Sequence, residues 1–277
     1  MKITDLKGYA TLYNGVQMPY LGLGVFKVSD GEEVMDAVKT ALKVGYRSID
    51  TAAVYRNENG VGEAVKESDI PREEIFMTTK LWNINQGYDR VFSAFDKSLA
   101  RLGMDYVDLY LIHWPVKGKY LDSWRALEEL YQSGKARAIG VCNFLQHHLE
   151  DVLSHCNIKP MVNQIEYHPY LTQPQLIKFC IDHDIRPEAW SPLMQGHVTE
   201  VNVLNDIGKK YGKSAVQVVL RWDLQNGVIT LPKSVHPDRI KDNADIFDFS
   251  LTPEEMETID NLNQGFRFGP DPDNFNF

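Results

Sequence analysis

The amino-acid sequence predicts an α/β protein built as a (β/α)8 barrel of the TIM type. Three observations lead there. Strand-length apolar runs alternate with helix-length amphipathic stretches, no glycine-serine linker interrupts them, and the 277 residues suit a fold that needs roughly 250. Residues 1–277 read as a single domain. Right-handed crossovers between parallel strands close most simply into a barrel. The rival, a doubly wound sheet, would announce a dinucleotide by GxGxxG after its first strand. Here Gly22-Leu-Gly24 is followed by Lys27 where the third glycine belongs.

A β-hairpin opens the chain, with Tyr9–Tyr13 and Val16–Tyr20 flanking Asn14-Gly15, a dipeptide that tolerates the positive φ of a tight turn. The barrel strands are expected at Leu21–Phe26, Tyr46–Thr51, Ile75–Leu81, Val107–Trp114, Ala136–Phe144, Met161–Tyr167, Ile185–Ser191 and Val228–Ser234. Helices are expected at Glu32–Val44, Val61–Glu67, Tyr88–Leu102, Ser123–Gln132, Gln146–Ser154, Pro174–His183 and Ser214–Leu224. In the first, Val34, Val38, Ala41 and Leu42 recur on one face. Pro174 suits a first helical turn, and Gly103 and Gly134 suit helix ends. Val201–Tyr211 and Thr252–Leu262, the latter opened by Thr252-Pro-Glu-Glu, exceed what the eight repeats need and read as extra helices.

Composition narrows the function. Hydrophobic residues make up 43% and charged residues 24%, which is enough apolar surface for a large core. The net charge of −9 repels phosphate backbones and anionic lipid, so neither nucleic acid nor membrane is an expected partner. Cys142, Cys156 and Cys180 form no CxxC pair or zinc framework, so reduced thiols and a cytoplasmic location are expected. The opening residues Met1–Lys7 carry charges with no apolar run behind them, so no signal peptide is expected. His147-His148 and His183 lack HExxH or facial-triad spacing; no metal is expected, and the adjacent histidines read as a solvated helical face.

Barrel chemistry gathers at the carboxyl ends of the strands. There the second strand ends in Asp50-Thr51 with Tyr55 just beyond, the third in Lys80 and the fourth in His113. The fifth ends in Asn143, the sixth carries Asn163, Gln164 and Glu166, the seventh ends in Trp190-Ser191 and the eighth in Lys233-Ser234. Singly, each has an ordinary explanation as a helix cap, a satisfied core imidazole or a solvated strand end. Lys80 is harder to dismiss, because apolar neighbours in Met77-Thr-Thr-Lys-Leu-Trp82 leave its ammonium needing an anion, and Asp50 is the candidate.

Together the four residues suggest a mechanism. A phenol titrates near ~10 and needs a nearby cation to serve as an acid-base group at neutral pH. Lys80 is expected to supply it, Asp50 to hold the ammonium, and His113 to orient a carbonyl oxygen beside the Tyr55 hydroxyl. Tyr55 is then the proton donor to a developing alkoxide.

These residues lie in motifs that resemble the aldo-keto reductase superfamily: Gly45-Tyr-Arg-Ser-Ile-Asp-Thr-Ala-Ala-Val-Tyr55, Thr79-Lys-Leu-Trp82, Val107-Asp-Leu-Tyr-Leu-Ile-His-Trp-Pro115, Gly140-Val-Cys-Asn-Phe144, Asn163-Gln-Ile-Glu166 and Leu231-Pro-Lys-Ser234. The resemblance runs from Leu21 to Asn243. It implies an Asp50-Tyr55-Lys80-His113 tetrad with NADPH extended across the barrel mouth. Trp190 takes the place of the aromatic that stacks on the nicotinamide, with Ser191 beside it. Asn143 and Gln164 match the carboxamide ligands, Lys233, Ser234 and Arg239 the 2′-phosphate ligands, and Asp242 and Asn243 lie near the adenine. Two cations in that cluster are what a phosphate dianion asks for.

Two positions depart from the family's pattern. Cys142 stands where serine is usual, which removes a hydroxyl contact to the carboxamide, and Asp242 shortens the usual glutamate. No base activates Cys142 as a nucleophile. The short His113–Tyr120 loop and the compact tail Gly269–Phe277 are similar to bacterial glyoxal and methylglyoxal reductases, 2,5-diketo-gluconate reductases and protozoal prostaglandin F synthases. A short rim implies an open pocket, an aromatic bowl of Phe26, Trp82, Trp114 and Tyr55 with His113, suited to small aldehydes and activated ketones. The expectation is therefore a monomeric NADPH-dependent reductase. An NADPH-holding redox sensor with little turnover is the alternative. A lyase or isomerase that uses Lys80 as a Schiff base is a third.

Overall fold

The Asn14-Gly15 turn forms where expected, joining strands β1 (Tyr9–Thr11) and β2 (Gln17–Pro19) in an antiparallel hairpin. Ala10 and Met18 are buried while their strand neighbours are exposed or half-buried, the alternation of a two-faced ribbon. The computed structural model describes residue 3 and residues 5–277. Residues 1, 2 and 4, on which part of the signal-peptide reading rests, lie outside the described residues.

Eight parallel strands follow in sequence order: β3 (Leu23–Gly24), β4 (Ser48–Asp50), β5 (Phe76–Leu81), β6 (Val107–Ile112), β7 (Ala136–Cys142), β8 (Val162–Glu166), β9 (Arg186–Trp190) and β10 (Ile229–Leu231). The first and last meet: Leu21 bridges Thr230, Gly22 N donates to Thr230 O at 3.1 Å, and Gly24 N donates to Pro232 O at 3.1 Å. Gly22 permits this closure, since a Cβ there would lie 2.6 Å from Leu231 Cδ2. Because the seam is one isolated bridge with flanking backbone hydrogen bonds, β3 and β10 are shorter than the expected Leu21–Phe26 and Val228–Ser234.

The outer ring comprises α1 (Glu32–Val44), α2 (Glu58–Lys66), α3 (Tyr88–Leu102), α4 (Tyr120–Gln132), α5 (Gln146–His155), α6 (Pro174–Asp182), α7 (Asn202–Tyr211), α8 (Ala215–Gln225), α9 (Pro237–Ala244) and α10 (Pro253–Asp260). The expected stripe Val34, Val38, Ala41 and Leu42 of α1 is buried. Helix α2 begins before the expected Val61. The polar run Asn57-Glu58-Asn59-Gly60 reads as a loop, but Glu58 is buried and accepts from Thr79 Oγ1 and Arg101 Nε, each at 2.6 Å, so helix is stable there. Helices α7 and α10 are the expected additions. The helix after the last strand, α9, is absent from the sequence expectation: it has eight residues, of which only Ile240 and Asn243 are buried, too few for a periodic stripe.

Inside the barrel the core is apolar except near the mouth. Every residue of β5 is buried, because helices cover the outer face of a parallel strand and packed side chains fill the inner one. Period-two alternation then sends Thr79 outward to α2 and Lys80 inward. Lys80 is among the largest fully buried side chains of the protein.

Candidate active site

A pinned loop carries Tyr55 over the barrel mouth. Thr51 Oγ1 donates to Asn57 Oδ1 at 2.7 Å, and Asn57 Nδ2 donates to Val25 O at 2.9 Å and Val28 O at 3.0 Å. Between them a single 3-10 turn, Ala53–Tyr55, ends at Arg56 with φ 60°, which turns the chain into α2 and leaves the phenol half-buried.

Beneath the phenol, Lys80 Nζ donates to Asp50 Oδ1 at 2.5 Å and to Thr51 O at 3.0 Å, and it lies 5.1 Å from the centre of the Tyr55 ring. The sequence expectation that Asp50 neutralises Lys80 agrees with this geometry. Burial pulls the ammonium's pKa down, but Asp50 and then Tyr55 outweigh it, so Lys80 stays protonated above its ordinary range. A buried, protonated, ion-paired amine is not a Schiff-base nucleophile. The expected acidification of Tyr55 is corrected by the structure. Burial pushes the phenol up and Lys80 pulls it down, yet Asp50 cancels much of the lysine's charge, so the net shift is upward. Tyr55 therefore holds its proton at neutral pH, the form that a donor needs.

His113, at the end of β6, is 7% exposed and packs edge-on to Tyr55 and Trp82, with ring centres 5.8 Å and 5.3 Å away. Burial and then Lys80 hold its pKa well below the usual histidine range, so the imidazole is neutral, and its Nδ1 has no partner among the described residues. Asn143 (φ 65°) turns back over the mouth; its Nδ2 donates to His113 O at 3.0 Å and its Oδ1 accepts from Trp190 Nε1 at 2.8 Å. Ser191, with φ 53°, follows the half-buried Trp190. Gln164 Nε2 donates to Asp50 Oδ2 at 2.9 Å and to Glu188 Oε2 at 2.8 Å, leaving its carbonyl to face the Cys142 thiol at 3.7 Å. Burial pushes the Cys142 thiol up, which keeps it unreactive.

Glu188 is not among the expected site residues, although it lies two residues before Trp190 and so on the same face of β9. Glu166 is expected only as a polar strand position. Fully buried, Glu166 accepts from Phe268 N at 2.6 Å and Gly269 N at 3.1 Å, and so anchors the carboxy-terminal tail at the mouth.

That tail corrects the expectation of an open bowl. Phe26 sits at the rim, half exposed and 4.9 Å from the Tyr55 ring. Phe277, however, stacks on Trp82 at 5.8 Å and meets Trp114 edge-on at 5.2 Å, while Phe275 packs against Trp114 at 5.1 Å. Asn83 Nδ2 holds Phe277 O at 3.1 Å. A short tail still reaches the pocket, because it is fastened at Glu166 and again near Asp273.

The second fastening involves the adjacent histidines. His147 is exposed as expected, but His148 is buried and its Nδ1 accepts the Leu145 N–H at 3.2 Å. In the neutral ring its Nε2 then bears the hydrogen and points to Asp273 Oδ1 at 3.4 Å, with His147 Nε2 3.1 Å from the same oxygen. These three ligand-type atoms cluster, yet His148 offers no free lone pair, so the group ties the tail to α5.

At the far side of the mouth, Lys233 and Arg239 are exposed, and Ser234 Oγ accepts from His236 N at 3.1 Å just before α9. Asn243 is buried on α9, while Asp242 is exposed and its backbone oxygen accepts from Gln217 Nε2 at 3.1 Å. The predicted residues thus fall into two groups, one around Lys80 and one around the amino end of α9.

A protonated phenol and a neutral imidazole above a buried ammonium suit proton traffic at a carbonyl, the work of oxidoreductases built on this barrel. The chain belongs to the aldo/keto reductase family, whose model matches residues 20–264. It is 58% identical over 274 residues to a glyoxal reductase of Bacillus subtilis (strain 168), covering 99% of each chain. Among solved structures, an aldo-keto reductase from a Medee basin deep-sea metagenome library matches with a TM-score of 0.94 at 45% identity, covering 97% of this chain and 100% of that one. A mutant of Gox0644 in complex with NADPH matches with a TM-score of 0.92 at 42% identity, covering 97% and 98%. Among the described residues, no helix is long and apolar enough to cross a membrane.

Proposed function

We propose that this aldo-keto reductase is an NADPH-dependent carbonyl reductase acting on small aldehydes and activated ketones, glyoxal and methylglyoxal among them. The observation that carries the reading is the Lys80–Asp50 pair at 2.5 Å beneath a protonated Tyr55. The similarity to a glyoxal reductase supports the substrate class, and the NADPH-bound relative supports the cofactor.

The donor set fits that cofactor. Two exposed cations and a hydroxyl beside the amino end of α9 suit a phosphate dianion. Lys233, Ser234 and Arg239 would hold the 2′-phosphate, with Asp242 and Asn243 toward the adenine. Trp190 and Ser191 would face the nicotinamide ring, with Asn143 and the Gln164 carbonyl toward its carboxamide. When bound, NADPH supplies the hydride. His113, neutral, donates a hydrogen bond that orients the carbonyl oxygen. Tyr55 gives its proton to the oxygen as charge develops there, and Lys80, held by Asp50, steadies the phenolate left behind. Phe26, Trp82, His113 and Trp114 line the substrate side.

Oxidation of NADPH on addition of glyoxal or methylglyoxal, followed at the nicotinamide absorbance, tests this function; a chain that binds NADPH without turnover contradicts it. Arg239→Ala is expected to weaken NADPH binding about tenfold, as loss of a charge-assisted contact does, and to leave NADH binding unchanged. Equal losses for both dinucleotides in a fluorescence titration would remove Arg239 from the phosphate site. Phe277→Ala should widen the bowl, so kcat/KM for bulky aromatic aldehydes is expected to rise roughly tenfold relative to glyoxal. An unchanged ratio would place the tail outside the substrate's reach.

A further inference from the structure

Glu188 is a carboxyl that the mechanism above does not use. It lies on β9 in register with Gln164 of β8 and Ile229 of β10, and it is wholly buried. One amide nitrogen, Gln164 Nε2, donates to both Asp50 Oδ2 and Glu188 Oε2, while Glu188 Oε1 has no hydrogen-bond partner among the described residues. The ionisable groups acting on this acid are Asp50 from β4, Lys80 from β5 and Cys142 from β7; β8 supplies the neutral Gln164 and β10 the apolar Ile229. Two buried carboxyls therefore share one ammonium, and Asp50 has taken it at 2.5 Å. A second, uncompensated carboxylate in such a place is costly, so Glu188 keeps its proton.

We propose that Glu188, as the neutral acid, is a positioning residue for the Tyr55–Lys80–Asp50 unit, acting through the Gln164 amide that it shares with Asp50. The inference rests on the reductase reading given above. Neutral, Glu188 holds the Gln164 amide against Asp50 without competing for Lys80. Ionised, it adds a negative charge beside Asp50, which binds Lys80 more firmly and raises the phenol further, making Tyr55 a poorer donor. Burial and then Asp50 push this carboxyl up to about 8, against the pull of Gln164 and Lys80. The sign follows: the productive form is present below that pH and is lost above it.

The test is the pH profile of kcat/KM for glyoxal in the unaltered enzyme and in E188Q, which keeps an acceptor for Gln164 but cannot ionise. The unaltered enzyme should lose activity with a midpoint near 8, about tenfold by one pH unit above it, and E188Q should lack that limb. An infrared titration of both proteins without cofactor reads the same proton independently of turnover. A protonated-carboxyl band that disappears with a midpoint near 8 in the unaltered enzyme and is missing from E188Q supports the proposal, and identical titrations of the two proteins overturn it. Asp223, also buried and raised, contributes a background common to both proteins. If carbonyls are reduced but the alkaline limb survives in E188Q, this inference alone fails. If no carbonyl is reduced, the reductase reading fails with it.

Discussion

Lys80→Met is expected to lose both catalysis and a large part of the fold's stability. Lys80 is completely buried and its ammonium is the only cation paired with Asp50 among the described residues. Removing it leaves a carboxylate in the barrel interior with the Gln164 amide as its one remaining hydrogen-bond donor among the described residues, a loss of about 3–5 kcal/mol. Adding Asp50→Asn should return most of that stability, because the pair is then replaced by neutral groups, while activity stays low in both variants. Urea unfolding of the single and double variants checks the ordering. A double variant as unstable as K80M would mean that the lysine's aliphatic packing, and not the charge balance, holds the barrel mouth together.

Tyr55→Phe separates chemistry from stability. The phenol sits half-buried in a loop fixed by Thr51 and Asn57, so deleting one hydroxyl leaves the pinning bonds intact. Unfolding should change by about 0.5 kcal/mol or less, and NADPH affinity should stay the same. The rate of carbonyl reduction should fall by about 10²–10⁴, the usual contribution of a positioned acid. Stopped-flow single turnovers are the appropriate measurement, since product release limits many steady-state rates. A fall of less than about tenfold would hand the proton to another donor.

Much of this was legible in the sequence, for reasons visible in particular residues. Lys80 among apolar neighbours demanded a partner, and Asp50 ends the adjacent strand; the 2.5 Å contact follows from period-two geometry. The barrel followed from the alternation of strand and helix patterns. What escaped was either short or long-range. Helix α9 buries too few side chains to leave a periodic signature. The tail reaches the bowl only because Glu166 and the His148–Asp273 contact fasten it, and both pairs span about a hundred or more residues of sequence. The direction of the Tyr55 shift depended on whether burial outweighs a cation already neutralised by Asp50, a balance of magnitudes that residue order does not contain. Glu188 looked like any polar residue in a strand, since nothing in one sequence says that the strand's inner face meets Asp50.

One experiment joins the cofactor to the proton donor. NADPH deuterated at the transferred position of the nicotinamide is mixed with methylglyoxal and enzyme, and the alcohol is analysed for label at the former carbonyl carbon. Deuterium there, arriving at least about a hundredfold more slowly in Tyr55→Phe, is the expected outcome. Label that stays on the nicotinamide, or that transfers equally fast without the phenol, would contradict the mechanism.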